Sequence, residues 1–91
     1  MDLTEQINIL ENCLLSNNYS QNTIRNYKDV IKKLQVDSME FNDSDFSSIA
    51  DALNKKYIKE VNKNKISNYF YNLSRRVILM LDLIFKEKKI N

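Results

Sequence analysis

The stretch SQNTIRNYKDVIKKL, Ser20 to Leu34, decides the fold. Read as a helix, it sets Ile24, Tyr27, Ile31 and Leu34 at i, i+3, i+7 and i+10, one narrow apolar stripe. Opposite that stripe stand Asn22, Arg25, Lys32 and Lys33, with Lys28 on the flank. One side suits a core and the other an anionic partner. Ser20 can cap the free amides of the first turn, and Asn22 or Thr23 could do so one register later.

The same periodicity recurs on either side. From Asp2 to about Ser16, Leu3, Ile7, Leu10 and Leu14 repeat at helical spacing, with Asp2 or Thr4 as the cap and Cys13 packed inertly beside the stripe. Asn17, Asn18 and Tyr19 break the pattern, and Asn tolerates the left-handed conformation that a helix end without Gly requires. Between Gln35 and Asp43 the helical period is lost, which predicts an ordered connector whose Val36, Met39 and Phe41 plug one end of the core. Asp43 or Ser44 then caps a third helix with Phe46, Ile49, Ala50, Leu53 and Tyr57 inward, ending near Asn54 or running on to Val61. The run NKNK, Asn62 to Lys65, is the next corner. A fourth helix over about Asn64 to Lys88 carries Ile66, Phe70, Leu73, Val77, Leu81 and Ile84 as its stripe. Ile78 and Leu79 point away from that stripe. They are expected to be covered by the first helix, or to be held for another domain or protomer.

Ninety-one residues make one domain, 1–91, with a core of marginal size. The chain contains no Gly and no Pro, so its corners fall to Asn, Asp and Ser, and the fold class is all-α, a four-helix bundle. The absence of His and the single Cys exclude a zinc site and an imidazole base; the absence of Gly excludes a P-loop and a dinucleotide fingerprint. No catalytic residue, metal or cofactor is expected. One cysteine without a recognisable signal peptide predicts a reducing, cytoplasmic setting. The most apolar run, Val77 to Phe85, is interrupted by Asp82 and falls far short of the ~20 residues that cross a bilayer.

The net charge of +2 conceals a segregation along the chain. Residues 1–19 carry −3, residues 20–36 carry +3, residues 37–54 carry −5 and residues 55–76 carry +6. Neighbouring helices of opposite charge can simply attract. A basic face on two helices also attracts phosphate. The candidate contacts are Asn22, Thr23, Arg25, Lys28 and Lys32 on the second helix, with Lys63, Lys65, Asn68, Asn72, Arg75 and Arg76 at the corner and on the fourth. Lys and Arg neutralise phosphates, and Asn bonds to phosphate or to an adenine edge. The corner is expected to bring the positive end of a helix dipole beside Lys63 and Lys65.

Two stretches resemble a known family. YSQNTIRNYKDVIKKL, Tyr19 to Leu34, is similar to the small polar cap, Asn-Thr-Ile, basic residue and core Tyr of the N-terminal core-binding (SAM-like) domain of tyrosine recombinases, the phage integrases. LSRRVILMLDLIFKEKKIN, Leu73 to Asn91, is similar to the end of that domain's fourth helix. The resemblance implies a four-helix bundle whose second and fourth helices approach the major groove of double-stranded DNA. It places Thr23, Arg25 and Lys28 at phosphates or groove on one side, and Lys65, Asn68, Asn72 and Arg75 on the other. The family usually has Gly or Pro before its second and fourth helices, and this chain has neither. Its nucleophilic Tyr belongs to a separate catalytic domain, so none of the five tyrosines here is that nucleophile. The tail FKEKKIN, where the interdomain linker begins in the family, favours a domain excised from a longer integrase.

The expected function is DNA binding in integration and recombination, with the chemistry done elsewhere. The competing readings are a helical protein-interaction module docking through Ile78 and Leu79, and a small helix-turn-helix regulator. The nine-residue connector from Gln35 to Asp43 argues against the latter.

Overall fold

The computed structural model describes residues 3–41 and 45–90, with side chains as far as residue 87. It is an all-α four-helix bundle: α1 (Leu3–Ser16), α2 (Gln21–Ser38), α3 (Phe46–Asn62) and α4 (Asn68–Ile90). α4 is the axis of the fold and packs against each of the other three. Extents of 40 × 34 × 17 Å make a flat body two helices thick.

The boundaries follow from local chemistry. Ser20 caps α2 as expected, its Oγ accepting from the Thr23 amide at 3.2 Å. Asn18 and Asn64 take the left-handed conformation, with φ of 56° and 59°, at the two corners where Gly is absent. At the second corner the Lys65 amide donates to the Glu60 carbonyl and the Asn64 amide to that of Val61, which is a Schellman closure with Asn in the glycine position. That closure ends α3 at Asn62. Ser67 then caps α4, its Oγ accepting from the Phe70 amide at 3.0 Å. The fourth helix therefore starts four residues later than the apolar period suggests, and Ile66 packs on the core from the turn. Asp45 caps α3 through the Ser47 amide. The expected caps Asp43 and Ser44, and Asp2 on the first helix, lie outside the described residues.

The connector after Gln35 is shorter than expected, because α2 continues to Ser38. Asp37 lies on its inner face and is held there by Lys33 one turn back and by Lys56 and the Tyr57 hydroxyl of α3, which carries the helix past the point where apolar periodicity fails. Val36 and Met39 consequently face solvent, 61% and 79% exposed, and only Phe41 packs on the core.

The inner surfaces match the stripes except on α2, where Ile24 stays outside the core and Val30, which the stripe omits, is 1% exposed. Ile7, Leu10 and Leu14 of α1, Tyr27, Ile31 and Leu34 of α2, Phe46, Ala50, Leu53 and Tyr57 of α3, and Leu73, Val77 and Leu81 of α4 are buried. Leu3, Ile49, Phe70 and Ile84 close its margins. Besides Asp37, two polar side chains are buried with hydrogen-bond partners. Gln6 Nε2 donates to the Leu81 carbonyl at 2.9 Å, pinning α1 to α4, and Ser74 donates to the Phe70 carbonyl one turn back. Cys13, between Leu10 and Leu14 in sequence but on the flank of the helix, is exposed and is not part of the core.

α3 and α4 form an antiparallel hairpin. Ser47 at the start of α3 donates to Asp82 in the second half of α4 at 2.9 Å, and the Phe46 and Phe85 rings meet at 6.4 Å. Ile78 faces α3 and is 2% exposed, whereas Leu79 is 60% exposed. The two do not form one free surface: the hairpin covers the first and leaves the second, with Leu83 a turn later, in solvent. No helix among the described residues is long and apolar enough to cross a membrane.

Candidate nucleic-acid interface

Which bases remain free is settled by where the acids sit. Asp37 is the centre of a network between α2 and α3. Its Oδ2 accepts from the Tyr57 hydroxyl at 2.8 Å and lies 3.1 Å from Lys33 Nζ, and its Oδ1 is 3.5 Å from Lys56 Nζ. Lys33 also reaches Glu60 at 3.0 Å, and Lys56 reaches Glu40 at 2.8 Å. Burial alone drives the Asp37 carboxyl upward, but the hydrogen bonds from Tyr57 and Lys33 and the charges of Lys33 and Lys56 outweigh it and hold the group below 3.8. The opposite sign holds for its partners. Burial opposes the charge on Lys33, yet its bonds to Glu60 and Asp37 keep the ammonium above 10.5. The bond to Glu40 raises Lys56, and burial followed by the Asp37 bond raises Tyr57 far above 10.0.

Lys33 therefore leaves the outer side of α2 where sequence periodicity had placed it beside Lys32. It turns across Tyr57, its Nζ 5.3 Å from the ring centre. Lys86 is similarly engaged by Asp82 at 3.1 Å. Among the described residues, Arg25, Lys28, Lys32, Lys63, Lys65, Arg75 and Arg76 form no ion pair. All seven are exposed.

The eleven candidate side chains fall into three neighbourhoods. The first is the junction of α2 with the start of α4, where Asn26 Nδ2 donates to the Tyr69 hydroxyl at 3.0 Å. Asn22 lies one turn before Asn26 on the same face of α2, and Asn72 one turn after Tyr69 on α4, whereas Arg25 and Asn68 are their sequence neighbours and point about 100° away around each helix. Lys65 lies beside this junction, lining a cleft with Lys33, Glu60, Ser67 and Phe70. Lys28 and Lys32 continue from Arg25 along the outer face of α2, at i+3 and i+7. Thr23 does not reach outward, because its hydroxyl is 2.9 Å from that of Ser20 within the cap.

The second neighbourhood is the groove of the α3–α4 hairpin. Arg75 and Arg76 line it with Asn72, Asn54 and Asp51, and the Arg75 guanidinium sits 5.8 Å from the Tyr71 ring centre. The third is the lysine-rich side of α3, which holds Lys63. Lys63 is the C-cap of α3 and so lies at the negative end of that helix's dipole, whereas the positive end of α4 begins at Ser67. The expected coincidence of Lys63 with a helix N-terminus does not occur.

Asn26 is readable as one of the polar residues among the cations of α2, but its pairing with Tyr69 is not. Asn26 and Tyr69 are 43 residues apart, and no local pattern links them. Lys55 and Lys59 were legible, since with Lys63 they repeat at i, i+4 and i+8, the mark of one helix face.

Comparison of the chain with protein-family models, with curated proteins and with solved structures finds no match.

Proposed function

We propose that this chain is a DNA-binding domain of the kind that tyrosine recombinases carry ahead of their catalytic domain, seating duplex DNA while the chemistry is done elsewhere. The observation that carries the reading is the division of the cations. Acids engage Lys33, Lys56 and Lys86, and leave Arg25, Lys28 and Lys32 unpaired on the outer face of α2 and Lys65 unpaired beside the Asn26–Tyr69 junction. Unpaired surface cations supply the sequence-independent phosphate term, and Asn22, Asn68 and Asn72 offer polar contacts to phosphate or base edge. A flat face of 40 × 34 Å is long enough to lie along roughly one turn of duplex, about 34 Å. The resemblance of Tyr19–Leu34 and Leu73–Asn91 to the recombinase core-binding domain names the same two helices.

Fluorescence anisotropy of a labelled duplex between 50 and 200 mM salt tests this. The four unpaired cations Arg25, Lys28, Lys32 and Lys65 give a slope of log K on log salt of about −4 or steeper. A slope near zero, or no binding at low salt, contradicts the reading.

A second reading has one observation in its favour. Leu79 and Leu83 stand one turn apart on α4 and are both more than half exposed, as in a helix face that meets another protein. A tight dimer indifferent to DNA is its signature. The helix-turn-helix alternative lacks such support, since α3 and α4 lie side by side and not at the steep angle that motif uses.

A further inference from the structure

α3 carries a stripe of lysines that belongs neither to the outer face of α2 nor to the start of α4. Lys55, Lys59 and Lys63 stand at i, i+4 and i+8, and with Lys56 and Lys65 they line one open groove against Glu40 and Phe41 at the end of α2. The two acids of that groove are already engaged, Glu40 by Lys56 at 2.8 Å and Glu60 by Lys33 at 3.0 Å. Lys55, Lys59, Lys63 and Lys65 are exposed and, among the described residues, form no ion pair. The negative end of the α3 dipole accounts for a cation in the last turn, such as Lys59, but not for Lys55 a full turn earlier.

The chemistry of the groove selects its ligand. Lysines are point charges on flexible stems, without the planar fork with which Arg grips a base edge. The aromatic ring in the groove, Phe41, is half-buried in the core and offers no stacking platform. Successive lysines advance by about 6 Å along the helix, and one strand of duplex presents a phosphate about every 3.4 Å of its axis, so each lysine is within reach of one or two phosphates. A stripe of this kind suits a phosphodiester backbone, followed without regard to sequence.

We propose that the α3 groove is a second phosphodiester-binding site, which holds the backbone of the same nucleic acid beyond the α2–α4 junction. The proposal rests on the DNA-binding reading above. Lys65 lines both this groove and the cleft with Lys33, so the two cationic surfaces meet at that residue.

The test measures salt-dependent binding of the intact chain to 30-base-pair duplexes of two unrelated sequences. Wild type is compared with Lys55→Gln/Lys59→Gln and with a control of equal charge change, Asn8→Asp/Asn12→Asp, on the exposed face of α1. Loss of both lysines is expected to make the slope shallower by about 2 and to weaken both sequences alike, by roughly 10- to 100-fold at 100 mM salt. The α1 control is expected to keep the wild-type slope. If the lysine variant keeps that slope, or the α1 control loses as much, the groove is not a site and DNA binding at the junction stands. If wild type itself shows no salt-dependent binding, the reading of the whole chain falls first.

Discussion

Arg25→Glu with Lys65→Glu is expected to abolish DNA binding and leave the bundle intact. Both side chains are exposed and unpaired, so neither substitution breaks a contact of the folded chain. At 0.1 M salt each phosphate contact adds a little under tenfold to affinity through counterion release, so losing two costs roughly 60-fold. Two new carboxylates facing phosphate add repulsion, which brings the total loss to more than 100-fold. A thermal melt coincident with wild type accompanies this loss. The pair is chosen because one member lies on α2 and the other in the turn before α4. If a single reversal removes everything while the other changes nothing, the contacts come from one element and the junction is not the site.

The largest effect on stability is expected from Asp37→Ala. The carboxylate is nearly buried and receives Tyr57, Lys33 and Lys56 together. Removing it strands a buried hydroxyl and brings two ammonium groups together with less to neutralise them. The lysines keep Glu60 and Glu40 and remain partly solvated, so the cost stays below that of a fully buried pair, at about 2–3 kcal/mol. For a domain of this size that corresponds to a fall in Tm of about 10–20 °C. The pH dependence separates charge from packing. Asp37 is held below 3.8 in the fold, so its contribution is present above about pH 4 and is lost as pH falls below that value. The gap between wild type and variant therefore narrows at pH 2. A constant gap across that range contradicts the electrostatic account. The cations and Tyr57 act at the other end: their raised values make wild-type stability decline as pH rises beyond about 10.

The helices themselves were legible because the chain builds them from clean stripes. Ile7, Leu10 and Leu14, or Leu73, Val77 and Leu81, need no tertiary information to be placed inside. Apolar periodicity misleads where polar residues carry the structure. Gln6 and Asp37 look like surface in a one-dimensional pattern, and both are buried because a partner more than fifteen residues away satisfies them. Asp37 also moved the end of α2 and took Lys33 from the outer face. The start of α4 was displaced by Asn64 and Ser67, whose conformation and hydroxyl outweigh the apolar period that Ile66 continues. Ile78 and Leu79 are adjacent in sequence, and only the position of α3 decides which of the two is covered. The charge segregation was legible as composition. Its division into an α2–α4 junction, a hairpin groove and an α3 stripe depends on how the helices cross, which no spacing reveals.

The most direct test is to titrate the isotopically labelled chain with a duplex at low salt and follow each backbone amide by NMR. Perturbations are expected to cluster at Asn22 to Lys32 and at Lys65 to Arg76, with a further group at Lys55 to Lys63 from the α3 groove and α1 unaffected. Shifts confined to the surroundings of Leu79 and Leu83, or no shifts at a twofold excess of DNA, would contradict the claim that these two helices present a nucleic-acid surface.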